Sequence, residues 1–232
     1  MPYIKRYLVL GFLFLAFILS WIPPTVMPVM QSRQAVPTLV IDPGHGGEDG
    51  GAVGLHGEKE SELNLDISLR LSALCKLYGV RCLLTRDSET LQYPLEAKTI
   101  SQKKTYDQRR RLRLIRDCPS AILFSIHQNQ YPSPEIAGIQ VFYGHRAGDR
   151  ELGEQMQKLL LDTLRPAQRR MATEIDESIY LMRECDCTSI LIECGFISGR
   201  EDIALLMQEA YRMKLAACLT AGYMNYIEQA KN

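Results

Sequence analysis

The chain has 232 residues, of which 46% are hydrophobic, and its 27 basic residues balance its 27 acidic residues to a formal net charge of zero. This is enough apolar material for one sizeable domain and little more. The neutral balance argues against nucleic acid as a partner, because nucleic-acid-binding domains carry a marked excess of positive charge. The basic run Arg109, Arg110, Arg111 and Arg113 is the strongest local exception, and we interpret it as the solvated face of a helix.

The N-terminus differs in kind from the rest of the chain. A Lys–Arg pair precedes an apolar stretch over residues 7–21, which is the order of a positive region and a hydrophobic export segment. No small-residue cleavage pattern follows it, so we interpret residues 1–22 as an uncleaved signal-anchor that binds the membrane rather than as a signal that is removed. With either interpretation the main domain is expected to be exported, as a membrane-anchored or a secreted protein. Residues 23–37 are rich in proline and methionine and are predicted to be a linker, and residues 38–232 form the main domain.

Within the main domain, apolar β-rich runs alternate with segments whose apolar residues recur every three or four positions. The alternation predicts a single α/β domain with a central, mostly parallel sheet of about six strands flanked by helices. The first helix should end before Gly79, a later helix spans Asp149–Leu164 before Pro166, and the last helices cover about residues 201–227. The predicted strands are Leu39–Ile41, Val80–Leu84, Ala121–Ile126, Ile139–Tyr143, Ile179–Met182 and Ser189–Ile192.

The seven cysteines are an odd number and form no small-scaffold disulfide pattern. Cys185 and Cys187 have a spacing that suggests metal binding, but the second ligand pair of a zinc knuckle is absent from the sequence. We therefore interpret most of the cysteines as buried thiols.

The segment LVIDPGHGGEDGGAVG, residues 39–54, begins as a buried strand and continues as a glycine-rich turn that carries His45. A phosphate-binding loop is disfavoured, because the Walker lysine is missing and G-x-G-x-x-G is not satisfied. A purely structural loop is the simple alternative. A histidine presented on bare backbone at the C-terminal end of a strand is better placed to be a ligand.

Two later strands also deliver chemically capable side chains. SIHQN, residues 125–129, carries His127, and ILIECGF, residues 190–196, carries Glu193. In an open α/β sheet the C-terminal strand ends converge on one crevice, so these side chains are expected to meet His45. A carboxylate in so apolar a run is costly unless it is paired or functional, and we interpret Glu193 as a general base rather than a structural ion-pair partner.

Two histidines and an acid in one crevice indicate zinc with one open coordination position, the arrangement of catalytic sites. A third protein ligand is then needed, and Glu58, Glu60 and Glu62 all lie at or just before the start of the first helix. Spacing alone does not choose among them. In the same way, either Asp42 or Asp49 is expected to orient a metal-binding histidine.

Together, DPGHGG, the helix segment NLDIS, SIHxN and IECGFIS resemble the zinc-dependent N-acetylmuramoyl-L-alanine amidases over nearly the whole main domain. The resemblance implies that Glu60 is the third ligand, because the ligand glutamate of that family lies five residues before the leucine that opens "LDI", here Leu65. The pair Glu58–Lys59 is then a false match to the usual Glu-Lys. Gln128 stands where the family often has Ala or Leu.

The resemblance also implies a chemistry. Zn²⁺ held by His45, Glu60 and His127 activates a water molecule, and Glu193 takes the proton. The bond attacked is the amide that joins the lactyl group of muramic acid to L-alanine in peptidoglycan, outside the cytoplasmic membrane.

Within the family, the N-terminal segment, GGAVG and YGHRAGDRELGEQMQ most resemble the sporulation and germination amidases. Those enzymes act on spore cortex peptidoglycan, where removal of the peptide precedes muramic-lactam formation. The expected partners are therefore peptidoglycan and the membrane. The interval between His127 and Glu193 leaves little room for the inserted helix that blocks the zinc of cell-division amidases, so regulation is expected from a protein partner or from timed expression.

Two other functions stay open at this point. Another zinc hydrolase of the cell wall, a peptidase or a deacetylase, would use the same ligands. A non-catalytic wall-binding protein could keep the fold, although it should have lost a ligand or the base. His56 is the substitute ligand if the register that selects Glu60 is wrong.

Overall fold

Six strands form one sheet in a computed structural model that describes residues 36–166 and 168–230. The strand order is β2-β1-β3-β6-β4-β5. Strands β2, β1, β3 and β6 are parallel, β4 is antiparallel to β6, and β5 is parallel to β4. The predicted α/β domain with a mostly parallel central sheet is confirmed. The strands are β1 (Thr38–Pro43), β2 (Cys82–Leu84), β3 (Ala121–Asn129), β4 (Gln140–Tyr143), β5 (Thr173–Glu174) and β6 (Thr188–Phe196).

Helices cover both faces of the sheet. Helices α1, α3 and α6 pack on one face, where α6 contacts both α1 and α3, whereas α2 and α4 pack on the other face. The α2 helix begins with a capping box between Thr99 and Gln102, which satisfies backbone N–H groups that the first turn leaves without partners. The helices are α1 (Glu60–Leu77), α2 (Ile100–Arg116), α3 (Asp149–Leu164), α4 (Tyr180–Glu184), α5 (Arg200–Leu206) and α6 (Glu209–Gln229).

The central strands are apolar along their whole length because both of their faces are buried. Leu39 and Ile41 of β1 point to the α1/α6 side, and Val40 between them points to the α2/α4 side. On the α1/α6 side, the ring of Phe124 meets that of Tyr223 edge to face, with 6.1 Å between centroids. Two cores therefore hold the sheet rigidly between helical layers.

The predicted strand Ile179–Met182 is wrong. Those residues lie at and within α4. The strand that completes the six-stranded sheet is instead β5, which the pattern does not predict. A four-residue apolar run has no period that separates strand from helix. Here Leu181 and Met182 are adjacent and both pack into the α2/α4 core, while Ile179 is partly exposed. Tertiary packing against α2 therefore selects the helix.

Strands β3 and β6 run further than their apolar cores predict. They extend to Asn129 and Phe196, so His127 and Glu193 lie within the last residues of their strands rather than after them. The α1 helix ends at Leu77 and is followed by Gly79 in the left-handed region (φ 69°), as predicted, and α3 has its predicted bounds. The C-terminal edge of the sheet is therefore built as the pattern indicates.

Two further expectations concern the thiols and the membrane. Cys75, Cys185, Cys194 and Cys218 are buried and the other three cysteines are partly buried, all as free thiols. No helix among residues 36–166 and 168–230 is long and apolar enough to cross a membrane. The predicted anchor, residues 1–22, lies outside the described residues, as does nearly all of the predicted linker.

Candidate metal centre and active site

Three side chains meet at the C-terminal edge of the sheet. His45 lies in the loop after β1, Glu60 is the first residue of α1, and His127 lies near the end of β3. His45 Nε2 is 3.2 Å from Glu60 Oε2, and His127 Nδ1 is 2.9 Å from Glu60 Oε1. One donor atom from each residue lies within 4.8 Å of the other two. The structure thus brings together the three residues that the resemblance implies as ligands.

The arrangement fits a divalent metal ion. Two ligands at about 2.0–2.1 Å from a tetrahedral zinc ion stand about 3.3 Å apart, close to the 2.9 and 3.2 Å separations between these donors. Two imidazoles and one carboxylate are also a donor set of catalytic zinc sites. Glycines make room for it: a Cβ on Gly44 would lie 2.3 Å from the His127 ring, and one on Gly51 would lie 2.6 Å from Glu60 Oε2.

The orientation of His45 is set by Asp49. His45 Nδ1 is 3.0 Å from Asp49 Oδ2, so Nδ1 donates to that carboxylate and Nε2 faces Glu60. The hydrogen bond with His45 lowers the pKa of Asp49 below its ordinary value, and the nearby ammonium of Lys104 adds to the effect. Asp42, the other candidate, pairs instead with Arg111 at 2.8 Å. The choice that the sequence leaves open therefore falls on Asp49.

Both oxygens of the Glu60 carboxylate are held by hydrogen bonds. Oε1 accepts from the backbone N–H of Gln128 at 3.1 Å and from Asn64 Nδ2 at 3.3 Å, and Oε2 accepts from the N–H of Ala52 at 2.9 Å. Burial opposes ionisation, but the hydrogen bond and charge of His127 outweigh it and lower the pKa of Glu60 to about 2. Glu60 is therefore an ionised, oriented carboxylate.

The competing ligand candidates point elsewhere. Glu58 Oε2 accepts from the N–H of His56 at 2.9 Å, and Glu62 pairs with Lys59 at 3.3 Å. The side chain of His56 lies on the exposed loop before α1. Within the described part of the chain, the group of side chains spaced to hold a metal consists of His45, Glu60 and His127. Glu58, Glu62 and His56 are not part of it.

Glu193 lies beside the three candidate metal ligands. It pairs in register with His127 across the parallel strands β6 and β3, so the two side chains project from the same face of the sheet. Its Oε2 is withdrawn from solvent and has no hydrogen-bond partner among the described residues. Burial raises the pKa of Glu193 well above its ordinary value, and the negative charge of Glu60 raises it further. A carboxylate whose pKa is raised is a stronger proton acceptor than an ordinary carboxylate.

These residues line one open cavity of about 520 Å³, a size typical of small-molecule sites. Glu60, His127 and Glu193 line it at the sheet edge. Helix α2 contributes one wall, on which Lys103 also lies over the ring of Tyr93. The residues from Ser178 to Leu181, around the start of α4, contribute another.

The interpretation of the basic run as a solvated helix face is wrong at Arg111. That residue is 3% exposed, and its guanidinium donates to Asp42, to Asp107 and to the backbone carbonyls of Pro43 and His45. A local run of charges carries no information about a carboxylate buried 69 positions away. Arg109 and Arg113 of the same run are exposed, as expected.

Two residues that support the site, Asn64 and Arg86, are not predicted from the sequence pattern. Asn64 donates from Nδ2 to the carbonyl of Gly44 as well as to Glu60. Its spacing of four from Glu60 in a helix was the available signal, because i and i+4 share a face. Arg86 lies just past the end of β2 and contacts the loop that carries His45. The strand-end argument that selects His127 applies to Arg86 as well.

Residues 39–225 match the protein family described as N-acetylmuramoyl-L-alanine amidase. The chain belongs to this family. The amidase is 32% identical over 197 residues to the germination-specific N-acetylmuramoyl-L-alanine amidase of Bacillus subtilis strain 168, an alignment that covers 82% of this chain and 80% of the relative. Family membership makes the protein an enzyme, a hydrolase of amide bonds.

Solved structures share the fold of the amidase. The CwlD amidase from Clostridioides difficile, solved in complex with the GerS lipoprotein, is 32% identical with a TM-score of 0.78, and the match covers 83% of this chain and 98% of that one. The amidase AmiC2 of Nostoc punctiforme is 28% identical with a TM-score of 0.70, covering 83% of this chain and 97% of that one. Both matches span nearly the whole of the compared amidase chain.

Proposed function

We propose that this amidase hydrolyses the bond between the lactyl group of N-acetylmuramic acid and L-alanine in peptidoglycan, with Zn²⁺ held by His45, Glu60 and His127. The observation that carries the proposal is the meeting of those three donors with Glu193 in one cavity. When bound, the zinc ion supplies Lewis acidity to the amide carbonyl and to the attacking water.

The protein residues prepare the ligand set. Asp49 accepts from His45 Nδ1 and so keeps Nε2 free of its proton for the metal. Asn64 and two backbone N–H groups fix the Glu60 carboxylate, which contributes one negative charge. Because these partners are in place in the folded chain, little reorganisation is needed when the metal binds.

Glu193 carries the proton. As a carboxylate it accepts a proton from the water whose oxygen bonds to the lactyl carbonyl carbon. It then returns that proton to the L-alanine nitrogen as the carbon–nitrogen bond breaks, which leaves a lactyl carboxylic acid and a free amine. Its unpaired Oε2 and its raised pKa support this role, because such a group binds the proton of the water more strongly than an ordinary carboxylate.

The deciding experiment is mass spectrometry of peptidoglycan fragments incubated with the zinc-loaded enzyme and, in parallel, with Glu193→Gln. Stem peptides with a free L-alanine amine are expected from the wild type alone. Released acetate would instead identify a deacetylase, and shortened stems still attached to muramic acid a peptidase. Intact fragments after incubation with the zinc-loaded wild type would support a non-catalytic wall-binding role.

We further propose that residues 1–22 anchor the enzyme outside the cytoplasmic membrane and that its substrate is spore cortex. The similarity to the germination-specific amidase of B. subtilis supports this role. In spores that lack the gene, muramic lactam should disappear from the cortex. It should return with the wild-type gene and not with one encoding Glu193→Gln. Unchanged muramic lactam in the deletion strain would contradict the cortex role.

A protein partner is proposed on separate grounds. The CwlD amidase was solved in complex with a lipoprotein, GerS, and this chain matches nearly the whole of that amidase. We therefore propose that a lipoprotein of the source organism binds this enzyme. Size-exclusion chromatography of the two purified proteins should show a joint peak, and separate elution at micromolar concentration would contradict the proposal.

A further inference from the structure

Arg86 is buried beside the candidate metal centre although it belongs to neither the ligands nor the base. It follows β2 by two residues, and 1% of its side chain is exposed. Its guanidinium lies between the loop that carries His45 and the first turn of α1, which carries Glu60. The loop packs closely on it, since a Cβ on Gly46 would lie 2.8 Å from Arg86 Nε.

All five N–H groups of this guanidinium have acceptors. On the loop side, Nε donates to the carbonyl of Pro43 at 3.0 Å and Nη2 to that of Gly44 at 3.0 Å. On the helix side, Nη2 also donates to the carbonyl of Ser61 at 2.8 Å. Nη1 uses its two hydrogens on the carbonyl of Ser88 and the carboxylate of Glu89.

The acceptors define what Arg86 holds. Pro43 and Gly44 directly precede His45, and Ser61 directly follows Glu60. One rigid planar group therefore spans from the backbone of one metal-ligand candidate to that of another. His45 has φ 59°, in the left-handed region that side chains with a Cβ disfavour, so this backbone needs external restraint to keep its geometry.

We propose that Arg86 is a positioning residue that sets the spacing between His45 and Glu60 before the metal binds. The inference rests on the zinc site of the proposed function. Lysine cannot replace Arg86, because its three N–H donors all belong to one nitrogen. They cannot reach both the carbonyls before His45 and the carbonyl of Ser61, as the planar guanidinium does. Positive charge alone is therefore insufficient, and the shape of the guanidinium is what the site requires.

The test compares Arg86→Lys and Arg86→Met with Arg110→Met in the full-length protein. Arg110 is the control, because it donates to the carbonyl of Thr85 next to Arg86, and among the described residues it has no hydrogen bond to either ligand-bearing segment. Zinc affinity is measured on metal-free protein by competition with a chromophoric chelator. The absorption spectrum of the Co²⁺-loaded protein reports ligand geometry independently of activity.

Both Arg86 variants should bind zinc about 10–100-fold more weakly than the wild type and show an altered Co²⁺ spectrum, while Arg110→Met keeps both properties. Wild-type zinc affinity and spectrum in Arg86→Lys would overturn the proposal, and that milder variant decides the matter if Arg86→Met does not fold. A wild-type protein that binds no stoichiometric zinc would instead overturn the proposed function, so the two failures are distinguishable.

Discussion

Replacement of Arg111 by methionine tests whether the buried charge network under the His45 loop stabilises the fold. The Arg111 side chain is 4% exposed and donates to Asp42 at 2.8 Å and to Asp107 at 2.6 Å. Asp42 also accepts from the hydroxyls of Thr85 and Ser125. Methionine fills a similar volume but removes the cation that is directly paired with the buried Asp42 carboxylate.

Removing one partner of a buried ion pair costs about 3–5 kcal/mol, because the remaining charge stays desolvated. Domains of this kind have a total free energy of unfolding of about 5–15 kcal/mol, so the loss is a large fraction of it. At about 2–4 °C per kcal/mol for a domain of this size, Tm should fall by about 6–20 °C. Hydrogen bonds from Thr85 and Ser125 soften the loss and favour the lower half of that range.

Urea and thermal unfolding of the metal-free protein, followed by circular dichroism, measure the effect. Arg109→Met on the exposed face of α2 is the control and should change the free energy of unfolding by less than about 0.5 kcal/mol. The double variant Asp42→Asn, Arg111→Met should be more stable than Arg111→Met alone, because asparagine leaves no buried charge. An Arg111→Met variant with the same free energy of unfolding as Arg109→Met would refute the idea that the buried charge network stabilises the fold.

Three further outcomes are expected. Glu193→Gln should retain zinc, and its rate of amide hydrolysis should fall by about 10²–10⁴-fold, the usual contribution of a general base. Loss of zinc by this variant would instead indicate that Glu193 is a metal ligand. Gly51→Ala should weaken zinc binding in a chelator competition, because its Cβ would lie 2.6 Å from Glu60 Oε2 at a φ of 69°; unchanged affinity would show that the loop yields. Burial opposes ionisation of Asp42, but the Arg111 charge and its hydrogen bonds lower the pKa of its carboxyl. The contribution of Asp42 to the free energy of unfolding is therefore complete above about pH 4 and is lost as the pH falls further. In urea unfolding, the free energy of unfolding should therefore fall less on acidification in Asp42→Asn than in the wild type.

The fold is well predicted where local pattern and global burial agree. The apolar run Ala121–Ile126 predicts a central strand buried on both faces, and Gly79 marks the end of α1 because its backbone is left-handed. The pattern failed at Ile179–Met182, where four residues cannot display a period. There, packing of Leu181 and Met182 against α2 chooses a helix.

The residues of the candidate site also differ in how far the sequence pattern predicts them. His45, His127 and Glu193 follow from the rule that strand ends converge on one edge of the sheet, and the structure places all three in one cavity. Their role as ligands and base stays a prediction until metal and turnover are measured. Glu60 follows from the family resemblance, because three glutamates lie at the start of α1 and helix geometry alone leaves several within reach.

The sequence by itself determined the parallel strands β1, β2, β3 and β6, the glycine-rich loop and the types of chemical group at the sheet edge, because these depend on periodicity and on strand direction. Only the tertiary structure decided that Asp49 rather than Asp42 orients His45, and that Arg86 and Arg111 are buried supports rather than solvated charges. The physical reason is that the partner of a buried charge is set by contacts between residues far apart in the chain. Arg111 and Asp42 are 69 positions apart, and only folding brings them together.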